Sequence, residues 1–113
     1  RNKIKYKDWN LNKNFKIINW AQKNKTKTNV LINATSIGMR SKKSPISDSA
    51  LINNKIIIDF PINPQKNFLE IKSKKFKIDY VSGYLLSFYQ GIKQFNIYTG
   101  KLINEKKLKK YLE

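Results

Sequence analysis

The apolar residues of the chain fall into short clusters, and two clusters have the form of strands that are buried on both faces. Residues 29–33 (NVLIN) and residues 55–60 (KIIIDF) each contain three consecutive aliphatic side chains. Runs of this kind are typical of parallel sheets that are covered on both faces. Two shorter clusters predict further strands at residues 15–20 (FKIINW) and residues 76–80 (FKIDY).

The segments between these clusters predict short helices. Residues 47–53 can form a helical turn, with Ser47 or Asp48 as its cap. Asn67 can cap a helix of about two turns over residues 68–75 (FLEIKSKK). Each of these helices would connect one predicted strand to the next.

The C-terminal third of the chain predicts a long helix. Ser82-Gly83 opens residues 84–98, where apolar side chains recur at helical spacing, and Gly100 ends the helix. A Lys-rich segment, residues 104–112, predicts a last helix. The face of the long helix that should pack on the core carries Leu85, Phe88, Tyr89, Ile92 and Phe95.

Strands that alternate with helices through short connections predict an α/β fold with a mostly parallel sheet and flanking helices. The 113 residues suffice for one small domain with a modest core. The chain contains four glycines and no G-x-G-x-x-G sequence. It therefore has the pattern of the second half of a doubly wound domain, whose first half would carry the glycine-rich phosphate loop.

The composition excludes several kinds of active site within this chain. It contains neither Cys nor His, which excludes thiolate nucleophiles, Ser-His-Asp triads and Cys- or His-ligated metals. The seven acidic residues lie apart in the sequence, so no metal site is predicted. The apolar runs are too short to span a membrane and no signal peptide is recognisable, so we expect no membrane partner. The chain begins with Arg1, which suggests a fragment.

The formal net charge of +17 suggests a polyanionic partner such as nucleic acid. The abundance of Lys, Asn and Ile offers a second interpretation, because AT-rich coding sequences favour these residues. The basic residues are dispersed over the whole chain and form no single stripe. We therefore favour the compositional interpretation and predict no specific nucleic-acid partner. A basic nucleic-acid-binding module is the alternative hypothesis.

Small and polar residues follow three of the predicted strands at the point where each strand ends. Residues 33–36 (NATS) and residues 59–63 (DFPIN) follow the two buried strands, and Gly83 follows the next one. In open parallel sheets, ligands bind in the crevice outside the carboxyl ends of the strands. The hydroxyls, amides and free N–H groups of these segments therefore predict a ligand site there.

Three segments carry a resemblance to a known family. They are LINATSIGM (residues 31–39), IIIDFPINP (residues 56–64) and VSGYLLSFYQGIKQFNIYTG (residues 81–100). In order and spacing they resemble the C-terminal half of shikimate dehydrogenase, which shows N-A-T-x-x-G-M, D-x-x-Y-N-P and D-G-x-x-M-L-x-x-Q-G-x-x-Q-F-x-x-W-T-G segments. The resemblance extends from about residue 29 to residue 100. The most specific matches lie in the last segment, at Gly83, Gln90, Gly91, Gln94, Phe95, Thr99 and Gly100.

The resemblance implies a Rossmann-like fold and an NADP-dependent oxidoreductase. Shikimate dehydrogenases reduce 3-dehydroshikimate to shikimate with NADPH in aromatic amino-acid biosynthesis, on the chorismate pathway. Residues 1–113 would form a partial NADP-binding domain with C-terminal helices. The N-terminal catalytic domain, with the family's catalytic Lys and Asp, and the glycine-rich loop would lie outside it. No catalytic residue is therefore assigned here, and the enzyme would be the full-length, cytoplasmic parent.

The resemblance also implies which residues bind the cofactor. Thr35 and Ser36 would lie along the nicotinamide side, and Phe60 would contact the nicotinamide through its backbone. Gly83 would approach the nicotinamide amide, where a side chain would clash. Arg1-Asn2 resembles the end of an N-R-T element that contacts the NADP phosphate. Within the three segments, the cofactor-binding residues that the resemblance implies are Asn33, Ala34, Thr35, Ser36, Phe60 and Gly83.

Substrate binding is where the sequence departs from the family pattern. Gln90 would reach the substrate with its amide. Ile62 stands where the family has a Tyr that hydrogen-bonds the substrate, and losing such a contact costs on the order of 1–3 kcal/mol. Ser82 replaces the Asp before Gly83. These changes leave open a quinate-type or diverged substrate, and also a non-catalytic remnant that serves as an interaction scaffold.

Overall fold

The structure, a computed structural model, describes most of the chain: residues 14, 16–40, 42–62 and 66–111. The role suggested for Arg1-Asn2 lies outside the described residues. So does the end of the predicted ligand-binding segment at residue 63.

Three parallel strands form the sheet: β1 (Val30–Asn33), β2 (Ile56–Asp59) and β3 (Asp79–Ser82). Their order is β1-β2-β3, so each strand pairs with its neighbour along the chain. The register aligns Asn33 with Asp59, and Asp59 with Ser82. The last residues of all three strands therefore lie side by side, along what we call the carboxyl edge of the sheet.

The helices lie before, between and after the strands. A 3₁₀ helix and four α-helices are present in the described residues: the 3₁₀ helix Trp20–Lys25, α1 (Asp48–Leu51), α2 (Phe68–Phe76), α3 (Gly83–Thr99) and α4 (Glu105–Lys109). Their alternation with parallel strands confirms the predicted α/β fold. Within the part of the chain that the structure describes, no helix is long and apolar enough to cross a membrane.

Side chains at the helix starts supply acceptors for backbone N–H groups that have no partner within the helix. Ser47, one of the two predicted caps, accepts from the Ala50 N–H. Ser82 accepts from the Leu85 N–H at 3.2 Å, so this residue caps α3 although the family has Asp there. Gly100 ends α3 as predicted, in a left-handed conformation with a φ of 67°.

The strand predicted over residues 15–20 is wrong where the structure describes that segment. Residues 16–19 have no regular structure, and Trp20 begins the 3₁₀ helix. Asn19 accounts for this start, because its side chain caps the first turn while the Gln22 side chain accepts from the Asn19 N–H. A strand also needs a partner for its backbone groups, and no strand of the described sheet pairs with this segment.

The third strand begins three residues later than predicted. Phe76 ends α2 instead of opening the strand, and its side chain packs against the core. Lys77 then adopts a left-handed conformation with a φ of 56°, which ends the helix. The chain consequently enters β3 at Asp79 and continues to Ser82.

The hydrophobic core lies between one face of the sheet and the helices α1 and α2. Its buried centre consists of Leu51 from α1, Ile57 from β2 and Leu69 from α2. Removing these side chains from water is the principal favourable contribution to folding. Partly buried side chains surround the centre: Leu31, Ile46, Phe76, Ile78 and Tyr80.

The prediction that both faces of the first two strands are buried is wrong for β1. Leu31 packs against the core, but Val30 is exposed and Ile32 is 57% exposed. In β2, Ile57 is buried and its two neighbours are only half-buried. The reason is that α1 and α2 cover the face that carries Leu31 and Ile57, and no described helix covers β1 on the other face.

The face of α3 that was predicted to pack on the core is covered only in part. Ile92 is buried, and Leu85 and Phe88 are half-buried, whereas Tyr89 and Phe95 are exposed. Among the described elements, α3 packs chiefly against β3, the strand that leads into it. The sheet is too small to cover the whole apolar stripe of this 17-residue helix.

The core assignment predicts that Leu51→Ala lowers the free energy of unfolding by about 2–5 kcal/mol, because a fully buried side chain is replaced by a cavity. Ile52→Ala is the matched control, since Ile52 is 56% exposed, and should change it by less than about 0.5 kcal/mol. Urea denaturation followed by circular dichroism measures both values. Equal losses in the two variants would contradict the assignment.

Candidate functional site

The carboxyl edge brings together the segments that follow the three strands. Asn33, Asp59 and Ser82 end the strands in register. The Phe60 N–H donates to the Asn33 carbonyl at 3.0 Å, which keeps the chain leaving β2 against the end of β1. Gly83 begins α3 directly after β3, with no intervening loop. The predicted ligand-binding segments are therefore neighbours in space.

The Asp59 carboxylate is the centre of a buried hydrogen-bond network at this edge. Only 1% of Asp59 is exposed. Its Oδ1 accepts from Asn33 Nδ2 at 2.7 Å. Its Oδ2 accepts from the Tyr80 hydroxyl at 2.9 Å and from Asn67 Nδ2 at 3.2 Å. One carboxylate therefore links all three strands and the start of α2.

The donors to Asp59 among the described residues are all neutral groups. Neither of the two ion pairs found among the described residues involves it. Burial raises the pKa of Asp59 above its ordinary value, and the hydrogen bonds from Asn33, Tyr80 and Asn67 offset part of that rise. Burial also raises the pKa of the Tyr80 hydroxyl, which keeps it protonated as a donor.

Asn33 connects Asp59 to the loop that follows β1. Its Nδ2 also donates to the Ile37 carbonyl at 3.0 Å. Its Oδ1 accepts from the Thr35 N–H at 3.2 Å and from the Thr35 hydroxyl at 2.7 Å. The Thr35 Oγ1 in turn accepts from the Ile37 N–H at 3.1 Å. Asn33 is buried, so its amide orders this loop from beneath.

Asn67 occupies the predicted N-cap position of α2, but its side chain forms no capping hydrogen bond. The amide nitrogen instead donates to the Pro61 carbonyl at 2.8 Å and to Asp59. Asn67 is therefore the N-cap residue by position, as predicted, but it supplies no capping bond, because the bonds of its amide nitrogen to Asp59 and Pro61 orient the side chain away from the N–H groups that its oxygen would cap. Asn67 Oδ1 is buried and has no hydrogen-bond partner.

Gly83 lies against the backbone of the segment that follows β2. A Cβ at this position would lie 2.4 Å from the Phe60 carbonyl oxygen and 3.0 Å from the Pro61 carbonyl oxygen. Backbone atoms cannot yield as the end of a flexible side chain can. Glycine is therefore required by the chain's own packing, whatever ligand approaches this edge.

The other predicted site residues lie at the surface. Residues 34–36 are exposed, as is Ile62, and Phe60 is 52% exposed. Gln90 is exposed on α3, two turns beyond Gly83 and hence about 10 Å along the helix axis. The structure thus brings together residues 34–36, Phe60 and Gly83, and no hydrogen bond among the described residues joins Gln90 to them.

A cavity of about 210 Å³ lies beside β1, and neither Phe60 nor Gly83 lines it. It shares Asn33 and Thr35 with the carboxyl edge, and its remaining lining residues come from outside the candidate site: Ile18, Trp20, Lys23, Thr26, Thr28, Leu31, Ile32, Pro45, Ile46 and Ala50. The cavity therefore adjoins the candidate site without containing it. Among the described residues, no group of three or more His, Cys, Asp or Glu side chains could hold a metal ion.

Asp59 falls in the predicted ligand-binding segment 59–63 without a predicted role of its own, and Tyr80 falls in no predicted site. A signal for Asp59 was present, because it follows Ile57 by two residues and therefore shares the core-facing side of the strand. A carboxylate on a buried face is rare and needs several donors. Tyr80 carried no comparable signal, since it fits an ordinary strand.

No protein-family model matches the chain. Over 98% of its length the chain is 31% identical to the shikimate dehydrogenase (NADP(+)) of Maridesulfovibrio salexigens, of which it covers 43%. Over 74% of its length it is 32% identical to the shikimate dehydrogenase (NADP(+)) of Thermococcus kodakarensis, of which it covers 28%. The chain is homologous to part of shikimate dehydrogenase.

A solved structure shows the same fold. The crystal structure of a chorismate mutase/shikimate 5-dehydrogenase fusion protein from Clostridium acetobutylicum matches 98% of the chain with a TM-score of 0.81 and 22% sequence identity. The chain covers 40% of that protein. It therefore spans less than half the length of these shikimate dehydrogenase relatives and has the α/β fold of the corresponding part.

The contact of Gly83 with Phe60 predicts that Gly83→Ala lowers the free energy of unfolding by about 1–3 kcal/mol, because the new methyl group overlaps backbone atoms. Gly91→Ala in the same helix is the control. No atom lies within 4 Å of a Cβ there, so the better helix propensity of Ala should raise stability by up to about 1 kcal/mol. Urea denaturation distinguishes the two, and equal effects would contradict the close approach.

The burial of Asp59 predicts an unusual pH dependence of stability. Because the folded-state pKa is raised, ionisation of Asp59 opposes folding at neutral pH. This penalty is removed as the pH falls from the raised folded-state pKa to the ordinary value of 3.8. As the pH falls through this range, the free energy of unfolding of the unaltered chain should therefore rise relative to that of Asp59→Asn, whose residue 59 cannot titrate.

Urea denaturation at a series of pH values measures this difference. Asp79→Asn is the control, because it removes an exposed carboxylate of the same sheet and keeps Asp59. Its free energy of unfolding should follow that of the unaltered chain as the pH falls. A difference between the unaltered chain and Asp59→Asn that stays constant with pH would show that Asp59 titrates normally.

Proposed function

We propose that this chain is the partial cofactor-binding domain of an NADP-dependent shikimate dehydrogenase, which reduces 3-dehydroshikimate to shikimate in aromatic amino-acid biosynthesis. The observation that carries the proposal is the meeting of residues 33–36, Phe60 and Gly83 at the carboxyl edge of a parallel sheet. These are the segments through which the chain resembles the family, and ligands of open α/β sheets bind at this edge. A cytoplasmic location belongs to the same proposal.

The residues at the carboxyl edge fit the nicotinamide end of NADP. Residues 34–36 are small and exposed, so a planar ring can approach their backbone. The exposed Phe60 side chain adds a flat apolar surface beside them. The chain has no glycine-rich turn for the diphosphate, and that part of the cofactor would need residues beyond the present sequence.

NADPH would supply the hydride, and the residues of this chain would bind and orient the ring. The loop at residues 34–36 is fixed by the side chains of Asn33 and Thr35, so its backbone is ordered before a ligand arrives. A binding surface that is ordered in advance loses less entropy when the ligand binds. No residue of this chain is proposed to transfer the proton.

The proposal predicts that the full-length protein oxidises NADPH when 3-dehydroshikimate is added, whereas the 113-residue chain alone does not. The physical reason is that the proton-transferring groups and the diphosphate loop are assigned to the part outside this chain. The absorbance of NADPH at 340 nm measures turnover. Quinate with NADP, assayed in the same way, tests the alternative substrate. Turnover by the isolated chain would refute the division of roles, and an inactive full-length protein would favour the remnant hypothesis.

Ile62 gives a second test of the same proposal. Ile62→Tyr in the full-length protein restores the hydroxyl of the family, and one hydrogen bond of about 1–3 kcal/mol corresponds to a rise in kcat/KM of roughly five- to 150-fold. Ile62→Phe is the control, because it adds the ring without the hydroxyl. Ile62 is exposed, so neither variant should alter stability much. Equal effects of Tyr and Phe would show that the hydroxyl does not reach the substrate.

A further inference from the structure

We infer that Asp59 is a positioning residue, which orders the loop at residues 34–37 through the side chains of Asn33 and Thr35. The inference rests on the proposed function, since the ordered loop is the one assigned to the nicotinamide. Asp59 stands at the Asp of the family's D-x-x-Y-N-P segment, and the resemblance assigns it no role. Asp59 is buried and does not itself reach the surface that a ligand would touch.

The path from Asp59 to the loop consists of consecutive hydrogen bonds. Among the described residues, Asn33 Nδ2 is the single donor to Asp59 Oδ1, at 2.7 Å, and this bond sets the orientation of the Asn33 amide. The oriented amide presents its Oδ1 to the Thr35 hydroxyl and N–H. The Thr35 hydroxyl oxygen then accepts from the Ile37 N–H. Rotating the Asn33 amide by half a turn would place its oxygen against two acceptors, Asp59 Oδ1 and the Ile37 carbonyl, and its NH₂ group against the Thr35 N–H, which is also a donor.

The strength of the first bond depends on the charge of Asp59. A hydrogen bond to an ionised acceptor is roughly twice as strong as one between neutral groups. When Asp59 is protonated, the Tyr80 hydroxyl can rotate and accept a hydrogen bond from the new carboxyl O–H, and the Asn33 bond remains as one between neutral groups. The loop should therefore be held more loosely by protonated Asp59 than by the carboxylate.

None of the described residues that donate to Asp59 carries a second group that titrates below neutrality. β1 contributes Asn33 and α2 contributes Asn67, and both are neutral amides. β3 contributes Tyr80, whose pKa is raised by burial, so it stays protonated. The charge of Glu70 in α2 also raises the pKa of Tyr80. A loop response to acid with the midpoint of Asp59 can therefore be assigned to Asp59.

Protonation of Asp59 should change global stability and the order of the loop in opposite directions, whereas for a merely structural residue the two would change together. As the pH falls, protonation of Asp59 raises global stability, because it removes a buried charge. The same protonation weakens the bond that orders the loop. We expect hydrogen-exchange protection of the Thr35 and Ile37 amides to fall roughly five- to tenfold while global stability rises.

Nuclear magnetic resonance of the 113-residue chain tests this expectation. The Asn33 side-chain amide and the Ile37 backbone amide should shift with one shared midpoint as the pH is lowered. In Asp59→Asn this transition should be absent, and the loop should resemble that of the unaltered chain at low pH. Asp79→Asn, the exposed control, should keep the transition. Loop amides that ignore the titration of Asp59 would overturn the inference.

Thr35→Val provides a second variant in case Asp59→Asn does not fold. Valine keeps the shape of threonine but removes the oxygen that joins Asn33 to the Ile37 N–H. The Ile37 amide should lose its response to pH, while the Asn33 side-chain amide should still titrate with Asp59. A response of Ile37 that survives in Thr35→Val would show that the signal does not pass through Thr35.

The full-length protein tests the consequence for the cofactor. Asp59→Asn should raise the KM for NADPH roughly five- to tenfold at neutral pH with a smaller change in kcat, because the loop must be ordered on binding. The KM of the unaltered protein should rise toward acid with the midpoint seen by magnetic resonance. Asp79→Asn should follow the unaltered protein.

The two experiments fail in distinguishable ways. A loop that responds to Asp59, in an active enzyme whose KM does not change, would refute the positioning role and leave the proposed function intact. A full-length protein that does not bind NADPH at all would refute the proposed function, and the cofactor role of Asp59 with it. Magnetic resonance would in that case still decide whether Asp59 orders the loop.

Discussion

A buried carboxylate without a cation must be surrounded by donors, and Asp59 imposes this requirement on four elements of the fold at once. Asn33 must end β1 beside it, Tyr80 must face it from β3, and Asn67 must begin α2 above it. A register shift of one residue in β2 would turn Asp59 to the opposite face and remove the acceptor that the three donors share. The carboxylate thus selects the strand register that also aligns the three strand ends.

This arrangement couples the fold to the surface at the carboxyl edge. The side chains that hold the strand ends together are the same ones that hold the loop after β1, because Asn33 serves both. Phe60 and Gly83 are tied to that edge by backbone contacts of their own. The interactions that hold the strand ends together therefore also determine the geometry of the candidate site.

Elements that depend on local sequence could be predicted, and elements that depend on distant partners could not. The triple isoleucine of β2, the Ser47 cap and the stop at Gly100 are read from neighbouring residues and agree with the structure. Residues 16–19 are apolar enough for a strand, but no described strand pairs with them. Asn67 has the right residue type for a cap, but its amide nitrogen donates to a carboxylate eight residues away and its side chain forms no capping bond.

The candidate site shows the same division. The family pattern in the sequence identified the segments that meet at the carboxyl edge, because spacing survives in sequence. It could not show that Gly83 is required by the Phe60 carbonyl, or that the Asn33 amide points inward, since both depend on packing between segments. A residue shared with a family can thus serve the fold at a position where the pattern suggests ligand contact.

The uncovered face and outer edge of β1 have a consequence for the behaviour of the chain in solution. Among the described strands β1 pairs only with β2, and its Val30 and Ile32 side chains are exposed beside unpaired backbone groups. Such an edge favours self-association by strand pairing. The net charge of +17 opposes it by mutual repulsion between copies, but the Debye length shrinks from about 30 Å at 0.01 M salt to about 8 Å at 0.15 M. We therefore expect the polypeptide to remain dispersed in dilute buffer and to associate when salt is added.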